Sequence, residues 1–599
     1  MYHSVFSQHP VSHQLFFALP VFVILFIMAA SSQATEAPRV IRSVPSAISP
    51  IAHSRRINND VNPVFDQIDD IRPLLPIITV SRNQAQIDAQ QNAATTNPPT
   101  IGIPIDLPEL NTDDAVQRVF AHYTLPNNEQ LFGIRIDATA AVGVRLGLLI
   151  DELPDTAQIA FFDSEAATPI APPRTGADIN HLIQLNQAGG DTSTASRTYW
   201  SPTILGEQAI VFIYLPADVH SDAIRIHIPQ LSYLFQNPVS SVRAAASCHL
   251  DVSCYSDWSS AASAVASIIF TENGSSVICT GALLNDTDDS SFIPYFLTAN
   301  HCINTQTVAS TLETYWFYQS NGCDSSITDS RYTYQSGGAQ LLYNNSETDT
   351  AFMQLNTQPP EGITYLGWTN AELTIGDQVT GIHHPFSSWR TLPYSDLKKI
   401  SFGQISDYLN CTSSLDYYNC LPSTTANADH IQVIWSGGVT ATGSSGSPLL
   451  NVNSQVVGQL HGGTSSCYYS NSPDEYGRFD TAYYAALYQW LDSDGAPPVT
   501  PVLPAIPLNV FASDGSYTGK VRVSWEAVNS ATSYQVFRCT SSSINTCGNG
   551  YVTSNSTYDD YSARIRTRYY YRVKACNTAG CSDYSDYNTG YKRLRLWFF

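Results

Sequence analysis

The sequence predicts an all-β protein of several domains, and three observations carry that prediction. Apolar and polar residues alternate in short runs such as FGIRIDA, GVRLGLLI and QAIVFIYL, the period-2 pattern of half-buried strands. Charged residues make up only 13% of the chain and aromatics 11%, with many Ser, Thr, Asn and Tyr, a balance that suits β-rich structure. At 599 residues the chain is too long for one core, so about three or four units are expected.

Taken in order, the chain opens on residues 1–34 with the pattern of a secretion signal. Leu15 to Ala30 is an apolar run interrupted by Pro20, and Ser32-Gln33-Ala34 supplies a small-x-small cleavage site. Residues 35–113, which include a Gln/Ala/Asn/Pro-rich stretch, are expected to be flexible. From 114 to 243 the alternating apolar runs and intervening turn residues give a β-rich domain without cysteine.

Between 244 and 494 the residues carry chemistry. Ser445 lies in the turn Gly443-Ser444-Ser445-Gly446-Ser447-Pro448, His301 in Leu297-Thr298-Ala299-Asn300-His301-Cys302, and Asp349 in SETDTAFMQL. A hydroxyl attacks well only when an imidazole takes its proton, and the imidazole needs a carboxylate to fix its tautomer and stabilise its charged form. Glycines beside Ser445 let the backbone turn sharply, so that the N–H groups of Gly443 and Ser445 can face a developing oxyanion. The order His, Asp, Ser excludes an α/β-hydrolase elbow, whose order is Ser, Asp, His.

These motifs resemble those of the chymotrypsin-like serine proteases, and LTANHC, GSSGSP, CTGALLN, GIHHP, GQLHGG and DEYGR resemble the bacterial lysyl endopeptidase branch. The resemblance covers about residues 244 to 494 and implies a double β-barrel, with His301, Asp349 and Ser445 as the catalytic triad. It implies a secreted serine endopeptidase made as a zymogen, with 114–243 in the position of a propeptide; Arg243 in SSVR is followed at once by AAASCHLDVSC, so a protease that cuts after basic residues is expected to release itself between Arg243 and Ala244. Val439 stands where trypsin carries the acid that holds a cationic side chain, so Asp474 of DEYGR is the implied partner of a substrate Lys or Arg. His461 and Gly462 resemble the segment that pairs with the substrate backbone, but the tryptophan that stacks on such a histidine in the lysyl branch has no evident counterpart. Ser444 replaces the Asp that pairs with a new N-terminus in trypsin-like zymogens, so activation cannot use that ion pair. The domain itself carries only Arg331, Arg390, Lys398, Lys399 and Arg478, whereas residues 495–599 carry eleven basic residues, so a basic-specific protease so built offers itself few cut sites.

All twelve cysteines fall after residue 247, an even set that reads as disulfides formed in an oxidising compartment; spacing alone does not assign the partners. The family resemblance implies Cys248 with Cys467, Cys254 with Cys323 and Cys279 with Cys302. Cys411 with Cys420, Cys539 with Cys547 and Cys576 with Cys581 are then the local pairs left over. No CxxC pair with a matching second pair suggests zinc, and neither cofactor nor metal is expected.

A Pro-rich linker spans 495–506. Residues 507–592 resemble a fibronectin type III β-sandwich, with Trp525 as its core tryptophan and Tyr569 as the tyrosine-corner candidate. A basic and aromatic tail, 593–599, ends the sequence. The formal charge of -22 argues against nucleic-acid and anionic-membrane partners. The expected partners are protein or peptide substrates and a surface or polymer target for the C-terminal domain. The mature form is expected to be a secreted monomer not embedded in a membrane, exported through the periplasm in a Gram-negative cell. Two other readings use the same residues: an inactive protease-like adhesion protein, and a serine protease with a non-basic preference.

Overall fold

The computed structural model describes residues 38–45, 70–83, 98–239, 248–387, 397–492 and 504–594, with a few isolated positions inside and between these spans set aside. The expected leader, the Arg243–Ala244 boundary, most of the Pro-rich linker and residues 595–599 lie outside the described residues.

Two sheets build the N-terminal domain. One runs Ile77–Val80, Gln130–Ala138, Gln208–Leu215, Gln158–Phe162, Arg174–Thr175, with Ala121–Thr124 sharing with Ile77–Val80 the same edge of Gln130–Ala138. The other holds Gly143–Glu152, Arg225–Leu234 and Thr100–Asp106. Their apolar faces share a core that includes Ile134, Leu146, Val211 and Leu231, so the alternation seen in the sequence is burial on one side of each strand. Helix Gly176–Ala188 is fixed at its start by a capping box between Thr175 and Asp178.

Residues 35–113 were expected to be flexible, and the described parts depart from that. Val44–Pro45, Ile77–Val80 and Thr100–Asp106 are strands, each paired with a segment far along the chain. A Pro-rich composition weakens local preference, but it does not prevent a short extended segment from completing a sheet edge.

Two β-barrel units follow. In the first, Ser275–Leu284 and Val265–Glu272 form a long hairpin, extended on one side by Glu313–Trp316 and Thr333–Ser336 and on the other by Tyr295–Ala299, Thr350–Leu355 and Ala339–Asn345. Thr100–Asp106 of the N-terminal domain pairs with Ser275–Leu284, so one sheet runs through both domains. The second unit orders Lys399–Ser414, Gln378–His383, Pro448–Asn451, Val456–Gly463, Asp474–Arg478 and His430–Gly437, and closes because His430–Gly437 pairs again with Lys399–Ser414. Short helical turns from Phe479 to Leu491 pack Phe479, Tyr483 and Leu487 onto Trp368 and the shared core.

The contact between the N-terminal domain and the barrels buries charge. Arg145 is 1% exposed and donates to Thr271 Oγ1 at 2.8 Å and to the Thr311 carbonyl at 2.7 Å. Glu313, wholly buried, accepts from the Thr203 N–H at 2.8 Å and its hydroxyl at 2.6 Å. Each charge is hydrogen-bonded across the contact, as burial of an ion demands.

The C-terminal domain is a β-sandwich of a three-stranded and a five-stranded sheet around Trp525, Val536, Tyr571 and Val573. Tyr569 is buried under Arg538, but the hydroxyl anchored in the core is that of Tyr571, which donates to Asp560 at 2.8 Å. All six disulfides pair as the sequence reading has them. No helix among the described residues is long and apolar enough to cross a membrane.

Candidate active site

Strand pairing brings His301 and Asp349 together across 48 residues of sequence. Tyr295–Ala299 and Thr350–Leu355 are antiparallel neighbours with Ala299 opposite Thr350, so the residues just beyond their facing ends meet. The Asn300 N–H donates to the Asp349 carbonyl at 2.8 Å and the His301 N–H to Asp349 Oδ1 at 2.9 Å. His301 Nδ1 lies 2.7 Å from Asp349 Oδ2. Asp349 adopts φ +50°, a left-handed conformation uncommon for a residue with a Cβ and typical of positions where geometry is imposed. It is buried, and although desolvation pushes its pKa up, the opposing effects of His301 prevail and hold the carboxyl below its ordinary value. The disulfide Cys279–Cys302 ties the histidine turn to Ser275–Leu284.

The serine turn is clamped by the residue after Cys279. The Thr280 N–H donates to the Ser445 carbonyl at 2.8 Å, and its hydroxyl donates to the Gly443 carbonyl at 2.9 Å. Gly446, at φ +81°, lies so close to Thr298 and Ala299 that a Cβ would overlap both, which explains the glycine and puts Ser445 beside the histidine strand. The N–H groups of Gly443 and Ser445 donate to no other described group. Among the described residues His301 Nε2 has no hydrogen-bond partner, so the bond between Asp349 and His301 is formed here and one between His301 and Ser445 is not.

Ser444 is buried and its hydroxyl lies 2.8 Å from His383 Nδ1, while His383 Nε2 lies 3.0 Å from Ser401 Oγ. Burial drives the His383 pKa well below its ordinary value, so a neutral imidazole between two hydroxyls occupies the place the sequence reading left without an ion pair.

Asp474 is 1% exposed. Its Oδ2 accepts from Trp435 Nε1 at 2.6 Å, Thr440 Oγ1 at 2.7 Å and Ser465 Oγ at 2.7 Å, and its Oδ1 accepts from the Ser465 N–H at 3.2 Å. Among the described residues no Lys, Arg or His forms an ion pair with it. Burial raises its pKa despite these four donors. Thr440 precedes Ser445 by five residues, so this carboxylate adjoins the wall of the serine turn. Trp435 therefore has a definite place, as a donor to Asp474.

His461 stacks on His301 with ring centroids 5.5 Å apart, and its Nε2 lies 3.8 Å from Asp349 Oδ2. Behind it stands a residue the sequence reading missed. His430 Nε2 lies 2.8 Å from His461 Nδ1, and His430 Nδ1 lies 2.6 Å from Asp429 Oδ1. The Cys411 N–H donates to Asp429 Oδ1 at 3.0 Å. The only sequence signal for His430 is the dipeptide Asp429-His430 in a chain of 14 histidines. Burial lowers the His461 pKa to about 3. Gly462, the other predicted substrate-binding residue, is half-buried, and a Cβ there would meet open space.

His301, Asp349 and His461 also form a group that could offer three metal-ligating atoms, but His301 Nδ1 and Asp349 are already committed to each other. The other such groups include disulfide cysteines, which have no thiolate to give.

Of the five basic residues in this domain, Lys398, Lys399 and Arg478 are buried, Arg331 is paired with Asp329, and Arg390 lies outside the described residues.

A lysyl endopeptidase of Pseudomonas aeruginosa is 33% identical over 302 residues, 47% of this chain and 61% of that protein. Secreted RxLR effector protein 73 of Plasmopara viticola is 26% identical over 217 residues, 35% of this chain and 48% of that one. The matches thus span less than two thirds of both relatives. Among solved structures, Deg5 is 16% identical with a TM-score of 0.26, covering 39% of this chain and 92% of its own. An Fn3-like protein from Clostridium thermocellum is 25% identical with a TM-score of 0.14, covering 16% and 100%. Residues 75–235 match the family described as the lysyl endopeptidase N-terminal domain and residues 242–477 its C-terminal domain. The two matches follow one another along the chain as the two halves of one protein do, and this chain belongs to the lysyl endopeptidase family.

Proposed function

We propose that the chain is a secreted serine endopeptidase, made as a zymogen, that hydrolyses peptide bonds after basic residues. The observation that carries this is the bonded pair His301–Asp349 set beside a clamped serine turn with two uncommitted N–H groups. Ser445 Oγ attacks the scissile carbonyl while His301 Nε2 takes its proton, and the oxyanion is held by the N–H groups of Gly443 and Ser445. Collapse to the acyl-enzyme breaks the C–N bond, His301 returns the proton to the leaving amine, and water repeats the sequence to free the acid. Asp349 keeps Nδ1 protonated and balances the imidazolium.

Asp474 supports the basic preference. A buried carboxylate with only neutral donors gains most from a substrate cation, and a substrate without one leaves it uncompensated. The arrangement also favours lysine over arginine. A guanidinium binds best in a fork across both oxygens, but Oδ2 already accepts three donors; an ammonium is a compact charge that needs no fork. The names of the matched families point the same way. Residues 35–243 act as the proregion, released by a cut between Arg243 and Ala244.

The test is a Ser445→Ala chain. It is expected to lose about 10^4-fold or more in kcat on lysyl peptides and to accumulate uncut. Normal processing of that variant expressed alone rules out self-cleavage, and undiminished turnover rules out Ser445.

A further inference from the structure

Residues 39–45 lie extended along residues 364–370 of the barrel domain, a contact the proposed reaction does not use. Val44 pairs with Tyr365, Pro45 with Thr364 and Val40 with Thr369. The Arg39 N–H donates to Asn370 Oδ1 at 2.7 Å, and the Ile41 N–H donates to the Trp368 carbonyl at 2.9 Å. In return, Thr369 Oγ1 donates to the Arg39 carbonyl at 2.9 Å and Gln455 Nε2 to the Ile41 carbonyl at 3.0 Å. The Gly367 N–H donates to Ser43 Oγ at 3.0 Å. Side chains alternate as on any strand: Val40 is 60% exposed, while Ile41 packs on the core around Trp368.

Two features make this a built site. The Arg39 guanidinium pairs with Asp492, whose side chain is fully buried and whose other oxygen accepts from Tyr483. With Arg39 gone, Asp492 is a buried carboxylate held by one hydroxyl. Gly367 lies under the segment, where a Cβ would overlap the backbone of Ile41, Arg42 and Ser43.

We propose that residues 364–370 and Asp492 form a peptide-binding groove that takes an extended segment beginning with arginine and carrying an aliphatic residue two positions on, and that residues 39–45 are its occupant. Main-chain pairing supplies the affinity and the Asp492 and Trp368 positions the selectivity. The groove shares no residue with the triad or with the surroundings of Asp474. One consequence rests on the proposed cut at Arg243: residues 39–45 and Thr100–Asp106 then belong to one fragment held at two places, so the proregion stays bound after cleavage.

A fluorescein-labelled peptide of residues 37–46 tests the groove by anisotropy, in a full-length Ser445→Ala background that spares the probe from cutting. A chain that also carries Arg39→Ala, Ile41→Ala and Ser43→Ala presents a vacated groove. It is expected to bind the probe saturably, at least tenfold more tightly than the chain with its own segment in place. A probe with Arg39→Ala is expected to bind at least tenfold more weakly, and Gly367→Ala in the vacated chain is expected to abolish binding. No saturable binding, or equal binding of the two probes, overturns the proposal. Hydrogen exchange in the chain without those three changes gives a second reading that needs no vacated variant: the Ile41 amide is expected to be protected, and free exchange there overturns the groove. None of these outcomes depends on maturation, which N-terminal sequencing of the active chain reads separately.

Discussion

His430 Nε2 lies 2.8 Å from His461 Nδ1, and the His461 ring in turn stacks on His301 at 5.5 Å between centroids with a 24° tilt. Asp429 holds the outer ring and Asp349 the inner one, so three imidazoles are lined up between two carboxylates. His430 thus reaches His301 only through the ring of His461.

Replacing His430 with phenylalanine keeps a ring behind His461 and removes its hydrogen bond. This variant is expected to lower kcat about 5- to 30-fold, the equivalent of roughly 1–2 kcal/mol, with KM nearly unchanged. Steady-state kinetics on one lysyl peptide check it; an effect confined to KM contradicts a positioning role.

Asp474→Asn is expected to reduce kcat/KM on lysyl peptides by about 10^3-fold or more while leaving turnover of uncharged substrates within a few-fold. Its folded state is expected to be no less stable than the parent, because a carboxylate with only neutral partners is removed from a buried place. A peptide panel varied only at the residue before the cut, with a thermal melt alongside, reads both.

His461 gives a pH prediction. Its pKa is about 3 when folded, against about 6.5 in an unfolded chain. The depressed value means that the unfolded chain binds the proton first, so the neutral ring's stability is present above pH 6.5 and is lost as pH falls toward 3. His461→Phe is therefore expected to flatten the fall in melting temperature between about pH 6 and pH 3 relative to the parent.

Lys398 works in the opposite range. Its ammonium is buried against the Ala262 carbonyl at 2.5 Å, and burial lowers its pKa to about 7. An unfolded lysine titrates near 10.4, so the contribution is most favourable above that value and is lost as pH falls to 7. Lys398→Met is expected to gain a few kcal/mol, about 2–4, relative to the parent at pH 7 and less at pH 10. Denaturant melts at the two pH values compare the pair.

The family was legible in short segments such as LTANHC and GSSGSP, whereas the pairs Cys248–Cys467, Cys254–Cys323 and Cys279–Cys302 were legible only through the resemblance, because their partners lie 219, 69 and 23 residues apart. Asp474 was singled out through its five-residue segment, DEYGR, and lies buried among neutral donors. His430 was not, because nothing local marks it: its position follows from pairing His430–Gly437 with Asp474–Arg478, which sets His430 opposite Gly477. The strands before residue 113 were hidden for the same reason, since Val44–Pro45 is a strand only by virtue of Thr364–Tyr365, some three hundred residues on. Tyr571 was missed in favour of Tyr569 because alternate residues of one strand share a face, and the hydroxyl's partner, Asp560, lies on another strand.

The ladder between Thr100–Asp106 and Ser275–Leu284 also bears on how the molecule is made. The N-terminal domain leaves the ribosome first, and its sheet ends in an edge complementary to a strand not yet synthesised. Barrels fold slowly because their pairings join distant segments, and a preformed edge shortens that search for the hairpin on which both the histidine and serine turns are assembled. The early domain thus holds an edge already set for the later one, and a barrel domain synthesised without it is expected to refold more slowly.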